Sequence, residues 1–114
     1  MINSGGENVY PDEIEAALVR CPAITEVVVV GLPDDRWGQA VTAFVVPATG
    51  VAPQAAVDEV CRYARGPAGL PGLKQPKRVI AVPAIPKSAA GKILRRVLAG
   101  GDYPSLATSD GIRA

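Results

Sequence analysis

In the stretch Pro86-Lys87-Ser88-Ala89-Ala90-Gly91-Lys92-Ile93-Leu94-Arg95-Arg96, small residues precede Lys92 and leave the approach to its ammonium open. This is not a Walker phosphate loop, because Pro86 stands where the first glycine would be and Ile93 follows the lysine. A helix over residues 92–99 places the ammonium in a first turn, where it opposes the helix dipole by about 0.3–1 kcal/mol. A solvated lysine and a cation open to an anion both fit that pattern, whereas Arg95 and Arg96 read as a solvated helix face. A second stretch, Ser4-Gly5-Gly6-Glu7-Asn8-Val9-Tyr10-Pro11, pairs two glycines. They permit positive φ and the close approach of a ligand or backbone, and an ordinary hairpin turn asks for the same residues. The only tryptophan lies in Trp37-Gly38-Gln39 and reads as a packing anchor.

What is missing narrows the chemistry further. The chain has no histidine, so no Ser-His-Asp or Cys-His nucleophile and no imidazole metal site can be built. Cys21 and Cys61 are too few for a four-cysteine zinc site or a disulfide framework, and no metal site is expected. They read as reduced, part-buried thiols in a cytoplasmic protein. No apolar run approaches the ~20 residues that cross a bilayer, and the first residues do not form a signal peptide.

The elements that must position these segments are short, because 12 glycines and 11 prolines punctuate 114 residues. Residues 11–20 form a first helix, opened by Pro11 with Asp12, Glu13 and Glu15 toward its positive end. Its inward stripe is Ile14, Ala17, Leu18 and Cys21, and Pro22 stops it. Residues 26–31 and 40–46 read as strands, the first a valine run suited to a position covered on both faces. Residues 32–38 between them read as a link too long for a tight hairpin. A second helix over 53–65 turns Val57, Val60, Cys61 and Ala64 inward, and a third strand spans 78–82. The last helix stacks Ile93 on Val97 and Leu94 on Leu98. The expected fold is α+β: a small, mainly antiparallel, three-stranded sheet covered by helices, with an N-terminal glycine-rich hairpin and a flexible tail over 100–114.

With 48% hydrophobic residues, the chain suits one compact domain. Its net charge of +1 hides an uneven distribution. Residues 1–59 carry nine acids and two bases, and residues 60–114 carry ten bases and two acids. Either the halves neutralise each other by packing together, or the second half presents a basic surface to an anion.

Together the segments resemble a family. Gly5-Gly6-Glu7-Asn8-Val9-Tyr10-Pro11-Asp12-Glu13-Ile14-Glu15 is similar to the glycine-rich loop and following helix in the C-terminal domain of adenylate-forming enzymes. These are the acyl-CoA synthetases, luciferase-like proteins and peptide-synthetase adenylation domains. Val30-Gly31-Leu32-Pro33-Asp34 with Trp37-Gly38-Gln39, then Lys74-Gln75-Pro76-Lys77, then Gly91-Lys92-Ile93-Leu94-Arg95-Arg96 resemble the family's remaining signatures in order. The resemblance covers residues 1–99. It departs at Ala90, where the family usually has serine, and in the loop 66–72, which looks longer than usual.

The resemblance implies a lid domain over residues 1–99 belonging to an ATP-dependent acyl-CoA ligase, whose large ATP- and acyl-binding domain and hinge lie upstream. That N-terminal domain would be its partner, with a carboxylic acid and CoA as substrates and ATP with Mg²⁺ as cosubstrate. Lys92 would be the catalytic lysine of adenylation. Gly5, Gly6, Glu7 and Asn8 would line the channel for the pantetheine arm, and Lys74, Lys77, Arg78 and Arg96 are candidates for the CoA phosphates. Two alternatives stand beside this reading. One is a lid that serves a carrier-protein phosphopantetheine arm. The other is a non-catalytic basic module for nucleic acid, poorly supported because one Phe and three Tyr make a weak stacking platform.

Overall fold

Four consecutive valines divide their side chains between two cores. In the computed structural model, Val27 and Val29 face one side of the sheet, and Val28 and Val30 face the other. The structure describes residues 1–109 apart from Trp37, Leu94 and Asp102, with only the backbone of Leu73. The expected anchoring by Trp37 and the stacking of Leu94 on Leu98 lie outside the described residues.

The chain order is β1 (Ile2–Ser4), β2 (Glu7–Val9), α1 (Pro11–Leu18), β3 (Ile24–Asp34), β4 (Gly38–Pro47), α2 (Pro53–Arg65), a 3₁₀ turn (Gly72–Lys74), β5 (Arg78–Ala81), α3 (Arg95–Ala99) and β6 (Ala107–Ser109). The sheet therefore has six strands among the described residues, not three, and it is mixed. β3 and β4 pair antiparallel over their whole lengths, from Ile24 opposite Pro47 to Asp34 opposite Gly38. The segment read as a long link is thus largely strand: β3 runs on to Asp34, which lies opposite Gly38 at the start of β4. β4 and β5 run parallel, because α2 lies between them and a helical crossover returns the chain in the same direction. β1, β2 and β6 escape a periodicity reading because each is three residues long. β6 falls in the segment expected to be a tail and pairs antiparallel with β5.

Strict alternation assigns the two cores. Val29, Val41, Ala43, Val45, Val79 and Ala81 pack under α1 and α2, with Ile14, Leu18, Val57 and Val60. Val28, Val30, Leu32, Phe44 and Ile80 pack on the opposite face with Val82, Ile85 and Leu98, and Ile93 joins them from its edge. This is the two-sided burial expected of a valine run. On the α2 side the inward stripe matches the sequence pattern, and α1 ends at Leu18, two residues early. Pro22 disfavours helical geometry at Cys21, whose N–H instead reaches the Leu18 carbonyl at 2.9 Å. Cys21 is buried, and burial pushes its thiol pKa up, which makes it a poor nucleophile.

The last helix starts at Arg95 rather than at Lys92. Its docking depends on Leu98, which is fully buried against Val28, Phe44 and Ile80. Leu98→Ala should lower unfolding stability by about 2–5 kcal/mol, the range for truncating a buried leucine. Denaturant unfolding would show it as a reduced midpoint with an unchanged slope, and a parental midpoint would mean that α3 contributes little to the second core.

Candidate functional site

Lys92 closes a five-residue loop instead of opening a helix. The Ser88 N–H donates to the Lys92 carbonyl at 2.8 Å, and the Lys92 N–H donates to Ser88 Oγ at 3.2 Å. Gly91 takes φ +82°, and its N–H reaches the Ser88 carbonyl at 2.8 Å. Lys87 and Ile93 then pair as an antiparallel bridge beneath the loop. The expected conflict between the ammonium and a helix dipole therefore does not arise. Ser88 supplies the side-chain oxygen that Ala90 cannot.

Lys92 is exposed. The cations on either side of it are engaged: Lys87 Nζ lies 2.6 Å from Glu26 Oε1, and Arg95 Nη1 lies 2.8 Å from Glu15 Oε2. Lys92 has no ion pair among the described residues. Arg95, expected on a solvated face, is instead part-buried and also donates to the Val29 carbonyl at 3.0 Å. Its guanidinium pKa is held above the ordinary arginine value, chiefly by the hydrogen bond to Glu15. Arg96 is exposed, as expected.

Gly5 and Gly6 form the turn joining β1 to β2, with Ser4 opposite Glu7. Both take positive φ, +58° and +87°, the geometry of a two-residue hairpin turn that follows the twist of its strands. A Cβ on Gly6 would meet nothing within 4 Å, so backbone conformation and not crowding calls for glycine there. Gly5, Gly6, Glu7 and Asn8 are all exposed, whereas Ile2, Ser4 and Val9 anchor the hairpin in the interior. No hydrogen bond or ion pair joins this tip to the Lys92 loop among the described residues.

The other two motifs seat these loops. Gly38 pairs with Ser4, and the Asn3 N–H donates to Gln39 Oε1 at 2.8 Å, which ties Gly38 and Gln39 to the glycine hairpin. Ile2 lies over Gly31, where an added Cβ would come within 2.9 Å of Ile2 Cγ2. Lys74 pairs with Glu13 of α1 at 2.6 Å, and Gln75 Nε2 donates to the Leu70 carbonyl at 2.7 Å. Lys77 is half-buried, and burial lowers its pKa. Sequence reasoning missed Ser88, Glu15 and Arg95 as shapers of the site. Their partners are 4 to 80 residues away, and only the local Ser88–Lys92 spacing offered a signal.

Among the described residues no group of three or more His, Cys, Asp or Glu side chains is arranged to hold a metal, and no helix is long and apolar enough to cross a membrane. The comparisons agree with the arrangement of motifs. The chain is 44% identical over 99 residues to 4-chlorobenzoate–CoA ligase of Pseudomonas sp. (strain CBS-3), covering 86% of this chain and 18% of that protein. It is 45% identical over 100 residues to the long-chain-fatty-acid–CoA ligase FadD13 of Mycobacterium tuberculosis (strain ATCC 25618 / H37Rv), with the same coverage. Among solved structures, a Mycobacterium tuberculosis fatty acyl CoA synthetase superposes with a TM-score of 0.77 at 42% identity, over 89% of this chain and 19% of that one. ATP-bound MatB from Rhodopseudomonas palustris superposes with a TM-score of 0.79 at 34% identity, over 87% of this chain and 19% of that one. The chain thus spans about a fifth of the length of these relatives. The model of the AMP-binding enzyme C-terminal domain matches residues 13–92, and the chain belongs to that family.

Proposed function

We propose that this chain, residues 1–99 above all, is the lid domain of an ATP-dependent acid–CoA ligase and serves its two half-reactions with two different loops. In the first, a substrate carboxylate oxygen attacks the α-phosphorus of Mg-ATP. The bond to the β-phosphate oxygen breaks, and pyrophosphate leaves. In the second, the CoA thiol, losing its proton, attacks the acyl carbon and AMP leaves with the electron pair of the broken C–O bond. The observation that carries the reading is the contrast along one segment: Lys87 and Arg95 are held by carboxylates, while Lys92 between them stays exposed on a closed loop.

An ammonium so presented is a compact charge suited to carboxylate and phosphate oxygens as negative charge shifts between them. The glycine tip suits the second step for a different reason. Gly5 and Gly6 leave a narrow, side-chain-free surface beside Glu7 and Asn8, along which a pantetheine arm can pass. Among the candidate cations for a CoA phosphate, Lys74 is engaged by Glu13, whereas Arg96 is exposed and without an ion pair among the described residues. The magnesium of Mg-ATP is assigned to groups outside this chain. The partner is an N-terminal domain of the same enzyme, and cytoplasmic residence accords with free Cys21 and Cys61. The CoA ligases among the relatives favour CoA over a carrier protein as acceptor. A nucleic-acid role fits poorly, because four bases of the second half are already paired with acids of the first.

In the full-length enzyme, Lys92→Ala should slow adenylation about 10²–10³-fold, as for loss of one preorganised transition-state donor. Thioester formation from preformed acyl-adenylate should stay near normal. Pyrophosphate release and CoA consumption, measured separately, check this, and equal loss in both would reject the assignment. Gly6→Leu should do the reverse, with acyl-adenylate accumulating while CoA consumption falls. Because a leucine at φ +87° also costs roughly 1–3 kcal/mol in strain, the melting temperature must be followed in parallel. A proportional fall of both rates with the folded fraction would reject the channel role.

A further inference from the structure

The Lys92 loop lies on one face of the sheet and α1 on the other, and a single cluster joins them around the edge of β3. Among the described residues β3 has one strand partner, β4, so Val29 presents its N–H and C=O to the edge that no described strand covers. Glu15 Oε2, on α1, accepts the Val29 N–H at 2.7 Å. Arg95 Nη1, at the start of α3, donates to the Val29 carbonyl at 3.0 Å and to the same Glu15 oxygen at 2.8 Å. Arg95 Nη2 lies 3.4 Å from Glu15 Oε1. The ring closes with fixed polarity: the carboxylate must face the N–H and the guanidinium must face the C=O.

Arg95 lies three positions after Lys92, and on the loop's other flank Lys87 is tethered to Glu26 of β3 at 2.6 Å. That second pair is exposed on both sides, the class of ion pair that contributes little. In the Glu15–Arg95 pair Arg95 is 42% exposed but Glu15 only 19%, and both also bond the backbone of Val29. We propose that Glu15 and Arg95 are positioning residues for adenylation: by clipping α3 to the free edge of β3, they set where the Lys92 loop stands relative to the rest of the lid. The proposal rests on the reading of Lys92 given above. Neither residue touches substrate in it. Their effect is geometric, and small displacements of a reacting group are costly.

The test uses the full-length enzyme with both half-reactions measured separately. Glu15→Ala and Arg95→Ala should each lower kcat for adenylation about tenfold, below the ~10²-fold that a 1 Å misplacement can cost. KM for ATP should change little, and thioester formation from preformed adenylate should be unaffected, which also certifies that the variants fold. The double variant should be no slower than either single one, since contacting residues acting as one unit are not additive. Val29 amide exchange should accelerate in Glu15→Ala. Arg95→Lys should restore part of the rate. The reversed pair, Glu15→Arg with Arg95→Glu, should not, because it sets a guanidinium against the Val29 N–H and a carboxylate against its C=O.

Rescue by the reversed pair would reduce the cluster to a simple ion pair and overturn the proposal, as would equal losses in both half-reactions or additive single effects. Normal adenylation in Arg95→Ala beside a slow Lys92→Ala would reject positioning alone. Normal adenylation in Lys92→Ala would reject the reading of Lys92 and the positioning role with it.

Discussion

Val29 offers an N–H and a C=O at the edge of β3 that no other strand covers among the described residues, and a buried backbone group left without a partner costs about 1–3 kcal/mol. Glu15 and Arg95 meet both groups at once and meet each other in doing so. An open sheet edge is also a template for unwanted pairing, and a charged cluster is a common way to block it. Here the block spans the thickness of the domain. Glu15 comes from the helix over one core, and Arg95 from the helix over the other, so one backbone position joins three layers. The strand beneath must be covered on both faces for this to work, which is why an unbroken valine run serves better than an alternating one.

The uneven charge of the chain has the same origin. Four ion pairs each join an acid from residues 1–59 to a base from residues 60–114: Glu59 with Arg62, Glu13 with Lys74, Glu26 with Lys87 and Glu15 with Arg95. Apart from Glu59 and Arg62, which are neighbours on α2, the pairs bridge 61 to 80 residues. Of the two explanations for the imbalance, mutual neutralisation accounts for much of the second half's positive charge. Arg65, Lys92 and Arg96 remain exposed beside it. An anion approaching the domain would therefore meet a few specific cations and not a general basic face.

The two proposed working loops are built on different physical grounds. The glycine tip is shaped by backbone conformation, with open space around Gly6, and it is held only from below by Ile2, Ser4 and Val9. The Lys92 loop is shaped by hydrogen bonds from Ser88 and by flanking ion pairs. The tip is thus smooth, and the lysine loop is anchored. That difference matches the roles proposed for them, a channel wall and a placed charge.

Much of this was written in local sequence. The proline at the start of each long helix, the inward stripes at i, i+3 and i+4, and the paired glycines of a tight turn act over a few residues, so their consequences were visible without a fold. The order of four short motifs carried the family in the same way. The number of strands was not visible, because β1, β2 and β6 are each three residues long and owe their pairing to the neighbours they meet. The parallel pairing of β4 with β5, the start of α3 at Arg95 instead of Lys92, and the cluster of Glu15, Val29 and Arg95 were decided only in three dimensions. Each depends on groups far apart in the chain and brought together by burial, and a periodicity confined to one element carries no information about the residue that will face it.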